Sequence, residues 1–351
     1  MEYFPTIDGI LAQLKEKKGS IMKQILVIAT GGTIACRSTT NGLVPQIAME
    51  EFLNYVPKIH SMCELHAIQL MNLDSTNMQP KNWLQIVSVI KENYEKYDGF
   101  VILHGTDTMA YTAAALSYLI QNSRKPIVLT GAQKPIDEDI TDAKSNIIQS
   151  ILYATSDAST NVNFVFDGEV IAGTRGRKIR SKSFNAFTSV NFPHKAVIRD
   201  NKVFHYIEDT TNQPVKFYDD LNDSVFVLQL IPGMTADILD YLKNRYDAVI
   251  IEGFGVGGIP NCEEMKFKEK IEELLDAGME IVITTQVPME GSNLDIYEVG
   301  RTFKQNARIL EAYDMTIEAI VTKLMWILAN SYTHEDVRKL FYKKINYDIE
   351  R

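Results

Sequence analysis

Cysteine is scarce in this chain: Cys36, Cys63 and Cys262 are the only three in 351 residues, and no CxxC occurs. An odd number at wide spacing excludes a disulfide framework and gives no zinc-site spacing. The expectation is buried free thiols in a reducing compartment. No apolar run approaches the roughly 18 residues that a membrane-spanning helix needs. Positive charge is also short, with 36 Lys and Arg against 45 Asp and Glu, a formal net charge of −9. That balance disfavours broad nucleic-acid binding, which depends on neutralising phosphates. No GxxxxGK[ST] and no GxGxxG is found. The nearest approach, Gly253-Phe254-Gly255-Val256-Gly257-Gly258, has its third glycine misplaced and Pro260 across the helix start.

What is present is globular: 45% apolar and 23% charged residues, in a length that fits two domains. Residues 1–21 hold Pro5, Glu16 and the cluster Lys15, Lys17, Lys18, with only Ile10, Leu11 and Leu14 to build a short helix. They lack the apolar core and cleavage site of a secretory leader, and read as an N-terminal extension before a second natural start at Met22. A cytoplasmic protein is expected.

The organising stretch is Gln24 to Cys36. Ile25-Leu26-Val27-Ile28-Ala29 is an unbroken apolar run, which predicts a strand buried on both faces. Thr30-Gly31-Gly32-Thr33 follows as a sharp turn flanked by two hydroxyls. The segment Arg37 to Pro45 reads as a mobile loop near that turn, and Glu50 to Val56 as a short helix. His66–Leu73 is strand-like and ends in the polar turn Asp74-Ser75-Thr76-Asn77-Met78. Asn82 to Tyr97 is an amphipathic helix, with Trp83, Ile86, Val87, Ile90 and Tyr94 at helical spacing. Gly99–Leu103 is a second buried strand, running into His104-Gly105-Thr106-Asp107-Thr108. Met109, Ala113, Leu116 and Ile120 then share one helix face, with Thr106 or Asp107 expected at the N-cap. Ile127–Leu129, ending in Thr130-Gly131-Ala132, is a third buried strand. A helix over Lys144–Ala154 and a hairpin around Asp167-Gly168 come next.

Residues 206–223 are polar and read as a linker. A second alternating series begins at Val225: strands at 225–228, 248–251 and 280–283, helices at 236–242, 267–275, 316–328 and 335–343. Strands alternating with helices predict an α/β fold with parallel sheets and right-handed crossovers. The domains expected are a larger N-terminal one of flavodoxin-like or Rossmann-like kind over 22–205 and a smaller α/β one over 224–351.

In an open parallel sheet, loops at strand ends converge on one edge. Three such loops therefore carry the chemistry: Thr30–Thr33, Asp74–Met78 and His104–Thr108. They supply hydroxyls (Thr33, Ser75, Thr106) and carboxylates (Asp74, Asp107). A hydroxyl becomes a useful nucleophile only beside a base. His104, directly after a buried strand, reads first as a hydrogen-bonded structural residue. Lys178, in the run Arg175-Gly176-Arg177-Lys178-Ile179-Arg180-Ser181-Lys182, is the better base. Its flanking arginines should disfavour its charged form. Taken alone, such a run is a solvated edge.

These residues resemble the L-asparaginases, particularly the cytoplasmic type I branch. The matching stretches are Thr30-Gly31-Gly32-Thr33-Ile34-Ala35, Asp74-Ser75-Thr76-Asn77-Met78 and His104-Gly105-Thr106-Asp107-Thr108-Met109. They are followed in order by Gly131-Ala132, Lys178, Phe187-Thr188-Ser189-Val190-Asn191 and Asp314-Met315-Thr316-Ile317-Glu318-Ala319. The resemblance covers about residues 22–330. It implies that Thr33 attacks the side-chain amide of asparagine and forms a β-aspartyl ester that water hydrolyses, with no cofactor or metal. It implies that Thr106, Asp107 and Lys178 activate a hydroxyl or the water. Asp107 would take the substrate α-ammonium and Ser75 the α-carboxylate, with Asp74 and Thr76 beside them and the Ala132 carbonyl near the amide. Backbone N–H groups of the Gly31–Thr33 turn would stabilise the oxyanion. A homodimer or homotetramer is implied as well.

Two departures stand out. Many members carry a tyrosine on the loop after the first motif, where Leu43 stands here, so activation of Thr33 shifts toward the lysine. Some type I enzymes bind a regulatory asparagine through an arginine and a cysteine. Glu252 and Val287 hold those places here, which predicts no such site. Two other readings use the same residues. One is the glutamine-hydrolysing subunit of an archaeal tRNA-dependent amidotransferase, disfavoured by the short extension and acidic charge. The other is a non-catalytic asparagine sensor, disfavoured by retention of both threonines and Lys178. Asparagine and glutamine differ by one methylene, which a pocket separates by only about 1–3 kcal/mol.

Overall fold

A computed structural model of the chain describes residues 22–32, 34, 36–39, 42–45, 54–209, 212–260, 262 and 264–350. It is an α/β protein whose described residues form two main sheets and three two-stranded ones. The first strand, β1 (Gln24–Gly31), is buried from Ile25 onward, as its apolar run requires. β2 (Cys36–Thr39) and β3 (Gly42–Pro45) form an antiparallel pair where the sequence suggested only a loop. The expected helix over Glu50–Val56 falls largely outside the described residues. β4 (Glu64–Leu73) leads through a short 3-10 turn, Ser75–Asn77, into α1 (Pro80–Asn93). β5 (Gly99–Leu103), α2 (Met109–Leu119), the short β6 (Ile120–Gln121), β7 (Ile127–Thr130) and α3 (Ala143–Ala154) follow. β8 (Val162–Phe166) and β9 (Glu169–Ala172) make the expected hairpin, with Asp167 and Gly168 at positive φ in its turn.

β10 (Gly176–Lys178) pairs with β11 (Phe187–Ser189) as a separate small hairpin. β12 (Ala196–Arg199) and β13 (Lys202–His205) extend the main sheet. The resulting eight-stranded sheet has the order β13-β12-β9-β8-β7-β5-β1-β4. It is parallel from β4 through β8 and antiparallel beyond, so the expected parallel sheet is a mixed one. Its central strands are buried on both faces because helices cover them.

Within the polar stretch after residue 205, β14 (Lys216–Phe217) pairs back onto β6. The second sheet contains β15 (Val225–Gln229), β16 (Ala248–Gly253), β17 (Glu280–Thr285) and β18 (Ile309–Glu311), all parallel. Its helices are α4 (Asp237–Leu242), α5 (Phe267–Asp276) and α6 (Glu298–Lys304). α7 (Ile317–Asn330) and α8 (His334–Phe341) close the chain. α7 packs on α2, so one apolar core runs between the two sheets and includes Tyr118, Trp326, Ile320 and Leu324. The thiols divide: Cys63 is buried, which pushes it up to about 11, whereas Cys262 is exposed, against the expectation of burial. Among the described residues no helix is long and apolar enough to cross a membrane.

Candidate active site

The loops after β1, β4 and β5 meet backbone to backbone. Gly32 donates its N–H to the Leu73 carbonyl at 3.1 Å, which joins the first loop to the second. That amide is therefore not one of the oxyanion donors expected from the turn. Ser75, buried after β4, has its hydroxyl against Gly105, where a side chain on Gly105 would meet it at 2.5 Å. Thr108 reaches back to donate its hydroxyl to the Ser75 carbonyl at 2.7 Å. Thr108, not Thr106 or Asp107, is the N-cap of α2, and its side chain is used in this cross-link and not on the helix. Below these loops, Thr30 donates to the Leu103 carbonyl at 2.9 Å, so this first hydroxyl of the turn ties β1 to β5. Thr33 lies outside the described residues, between Gly32 and the fully buried Ile34.

Thr106, Asp107 and Lys178 come together although 71 residues separate Asp107 from Lys178. The Lys178 amine donates to the Thr106 hydroxyl at 2.8 Å and to Asp107 Oδ1 at 2.6 Å. Thr106 is buried, the Lys178 side chain is 18% exposed and that of Asp107 is 57% exposed, so the group opens to solvent at the carboxylate. Asp74 accepts from both the backbone N–H and the hydroxyl of Thr76, at 2.9 and 2.8 Å, and caps the 3-10 turn. Ala132, two residues past β7, is buried, and its neighbour Gly131 lies where an added Cβ would come within 3.5 Å of the Thr106 methyl.

The basic run is not a solvated edge at its base. Arg175 is wholly buried and donates to the Asp314 carboxylate at 2.9 Å, the Asp314 carbonyl at 2.9 Å and the Tyr347 carbonyl at 2.5 Å. Arg180 donates to the Asn185 carbonyl at 2.8 Å. These two guanidinium groups are therefore engaged away from Lys178, and the charge that touches its amine is the Asp107 carboxylate. Arg177, directly before the lysine, acts on Tyr111, Glu252 and Glu318.

His104 is structural. It is fully buried, and its Nδ1 donates to the Gly105 carbonyl at 2.7 Å. Its Nε2 must then accept from Thr112, at 2.9 Å, and Thr112 accepts from the Trp83 indole N–H at 3.0 Å. Burial holds its pKa down, to about 4. Glu252 is partly buried, and that burial raises its carboxyl above the usual range against the pull of Arg177. Val287 is exposed.

Gln133, Asp142 and Asn146 do not stand out in the sequence. Asp142 is buried and accepts from the backbone N–H groups of Gln133 and Lys134. Burial raises its carboxyl, and these hydrogen bonds oppose the shift. Asn146 donates to Asp142 and to the Gly131 carbonyl. The pair pins the loop that follows β7. Position at a strand end, two residues past Gly131, is the one signal the sequence holds for Gln133.

Comparison with known proteins decides the family. The N-terminal asparaginase description matches residues 24–211, and the glutaminase/asparaginase C-terminal domain matches residues 224–341. The chain belongs to the asparaginase family. It is 34% identical to an L-asparaginase of Thermococcus kodakarensis, over 93% of this chain and 99% of that one. The solved structure of the thermostable L-asparaginase from that organism superimposes with a TM-score of 0.86. It covers 93% of this chain and 99% of its own, at 33% identity. A glutamyl-tRNA(Gln) amidotransferase subunit of Pyrococcus abyssi is 33% identical over 91% of this chain and 75% of that protein. As an asparaginase-family protein, the chain has the fold and motifs of amide hydrolysis.

Proposed function

We propose that this chain hydrolyses L-asparagine to L-aspartate and ammonia, with Thr33 as nucleophile. The observation that carries the reading is the Thr106–Lys178–Asp107 group, held one residue beyond the point where Gly105 abuts Gly32. Thr33 is the next residue in the chain after Gly32.

In the proposed reaction the Thr33 oxygen forms a bond to the side-chain amide carbon and loses its proton. The C–N bond breaks, the nitrogen takes a proton, and ammonia leaves. Water then attacks the β-aspartyl ester, and the Thr33 hydroxyl is restored as aspartate departs. Lys178, held by Thr106, moves the protons. The exposed carboxylate of Asp107 suits a substrate ammonium, and Ser75, with Asp74 and Thr76, suits the α-carboxylate end. The Ala132 carbonyl accepts from the amide N–H. None of these steps calls for a metal or cofactor. The resemblance read in the sequence implies a cytoplasmic homo-oligomer, dimer or tetramer.

Similarity to the amidotransferase protein supports a second reading, glutamine hydrolysis feeding ammonia to a partner. Ammonia release by the isolated chain from asparagine and from glutamine separates them. Turnover of asparagine, lost in Thr33→Ala, supports the first; turnover of glutamine alone supports the second. Tight asparagine binding without turnover indicates a sensor.

A further inference from the structure

We propose that Gln133 is a positioning residue for this site: it directs the Thr106 hydroxyl proton away from Lys178 and clamps the hairpin that carries Lys178. The inference rests on the reading of Thr106 and Lys178 given above.

The amide orientation of Gln133 follows from its neighbours. One end faces two backbone carbonyls, those of Ser183 at 3.2 Å and Arg180 at 3.4 Å. Carbonyl oxygens only accept, so that end is the NH2 group. The other end is then Oε1, which lies 3.1 Å from the Thr106 hydroxyl. An amide oxygen cannot donate, so Thr106 gives its proton to Gln133 and offers a lone pair to Lys178. The direction of donation is fixed along the row, from Lys178 to Thr106 to Gln133.

This order matters for a lysine that takes a proton. A neutral amine has two N–H bonds and one lone pair. With Thr106 and Asp107 both accepting, the two N–H bonds are used and the lone pair is left for a water or hydroxyl. Without Gln133, the Thr106 hydroxyl is free to turn and donate into that lone pair, which quenches the base. The same side chain ties residues 180 and 183, just past Lys178, to the loop after β7, and the buried Asp142 holds that loop through the Gln133 backbone N–H at 3.0 Å.

Two measurements on the full chain test this. In Gln133→Leu, kcat for asparagine should fall about tenfold or more, the kinetic equivalent of one lost hydrogen bond, with KM nearly unchanged. Gln133→Glu keeps an acceptor for Thr106 but sets an oxygen against the Ser183 and Arg180 carbonyls, so its kcat should exceed that of Gln133→Leu while the clamp stays broken. Equal kcat in wild type and Gln133→Leu, or equal loss in both variants, overturns the proton-directing role. Hydrogen exchange gives a readout independent of turnover. Amides of residues 179–186, whose hairpin closes through Ile179 and Ala186, should exchange about fivefold faster in Gln133→Leu. Unchanged exchange there overturns the clamp. Faster exchange in a chain whose wild type turns over neither amide would retire the catalytic reading and leave the clamp standing.

Discussion

Gly32 and Gly105 touch through their backbones: a Cβ added to Gly32 would lie 2.4 Å from the Gly105 nitrogen and 2.5 Å from its Cα. Gly32 also sits at φ +85°, where an L side chain is strained. Neither neighbour is a flexible side chain that can yield. Gly32→Ala must therefore push the two threonine motifs apart. Ammonia release should fall by about tenfold or more, since roughly 1 Å of misplacement already costs a hundredfold in favourable cases. A steady-state assay beside a thermal melt checks this; wild-type kcat would show that the close approach is not required.

Lys178→Met removes the amine that binds both Thr106 and Asp107 while keeping much of its apolar length. If the amine handles protons, kcat should drop by about 10²- to 10⁴-fold. Asparagine should still bind, since the carboxylate and hydroxyls remain. Calorimetric titration of the variant with asparagine, beside its kcat, measures the two effects separately. Near-normal rates would remove the lysine from the mechanism.

His104 makes the fold sensitive to acid. Its folded pKa is lowered from 6.5 to about 4 by burial. The unfolded chain therefore binds more protons between those values, and stability is full above about pH 6.5 and lost as pH falls toward 4. One pKa unit corresponds to about 1.4 kcal/mol, so the loss approaches about 3 kcal/mol. Urea denaturation at pH 7 and pH 4.5 measures it. In His104→Gln the difference between the two pH values should shrink by most of that amount.

Arg175 joins the base of the β10 hairpin to Asp314, ahead of α7, and to the chain end at Tyr347. Its side chain is fully buried and that of Asp314 is 16% exposed. Breaking one side of such a pair leaves a charge without its partner, at a cost of about 3–5 kcal/mol. Arg175→Met should lower the melting temperature strongly. The hairpin carrying Lys178 should loosen with it, so kcat should fall in the folded fraction as well.

Much of the fold is legible in the apolar runs. Ile25–Ala29, Gly99–Leu103 and Ile127–Leu129 are strands covered on both faces, and burial on two sides leaves a continuous pattern. The antiparallel edge is not legible: β12 and β13 are short and half exposed, so no long apolar run marks them. Pairing of β2 with β3 likewise leaves little trace in a polar stretch. Thr106, Asp107 and Lys178 can be found because strand-end loops converge and because their motifs match a family in order. Arg175 reads as part of a charged surface, since a sequence does not show that Asp314, 139 residues on, returns to neutralise it. Gln133 escapes notice for a related reason. Its meaning lies in which atoms face it, the carbonyls of residues 180 and 183 on one side and a hydroxyl on the other.

The most direct test is ammonia release from L-asparagine by the purified chain and by Thr33→Ala. A covalent aspartyl adduct is sought by mass spectrometry after acid quench in both. The account predicts steady release and an adduct on Thr33 in the wild type, with neither in the variant. Undiminished release by Thr33→Ala, or an adduct on another residue, would contradict it.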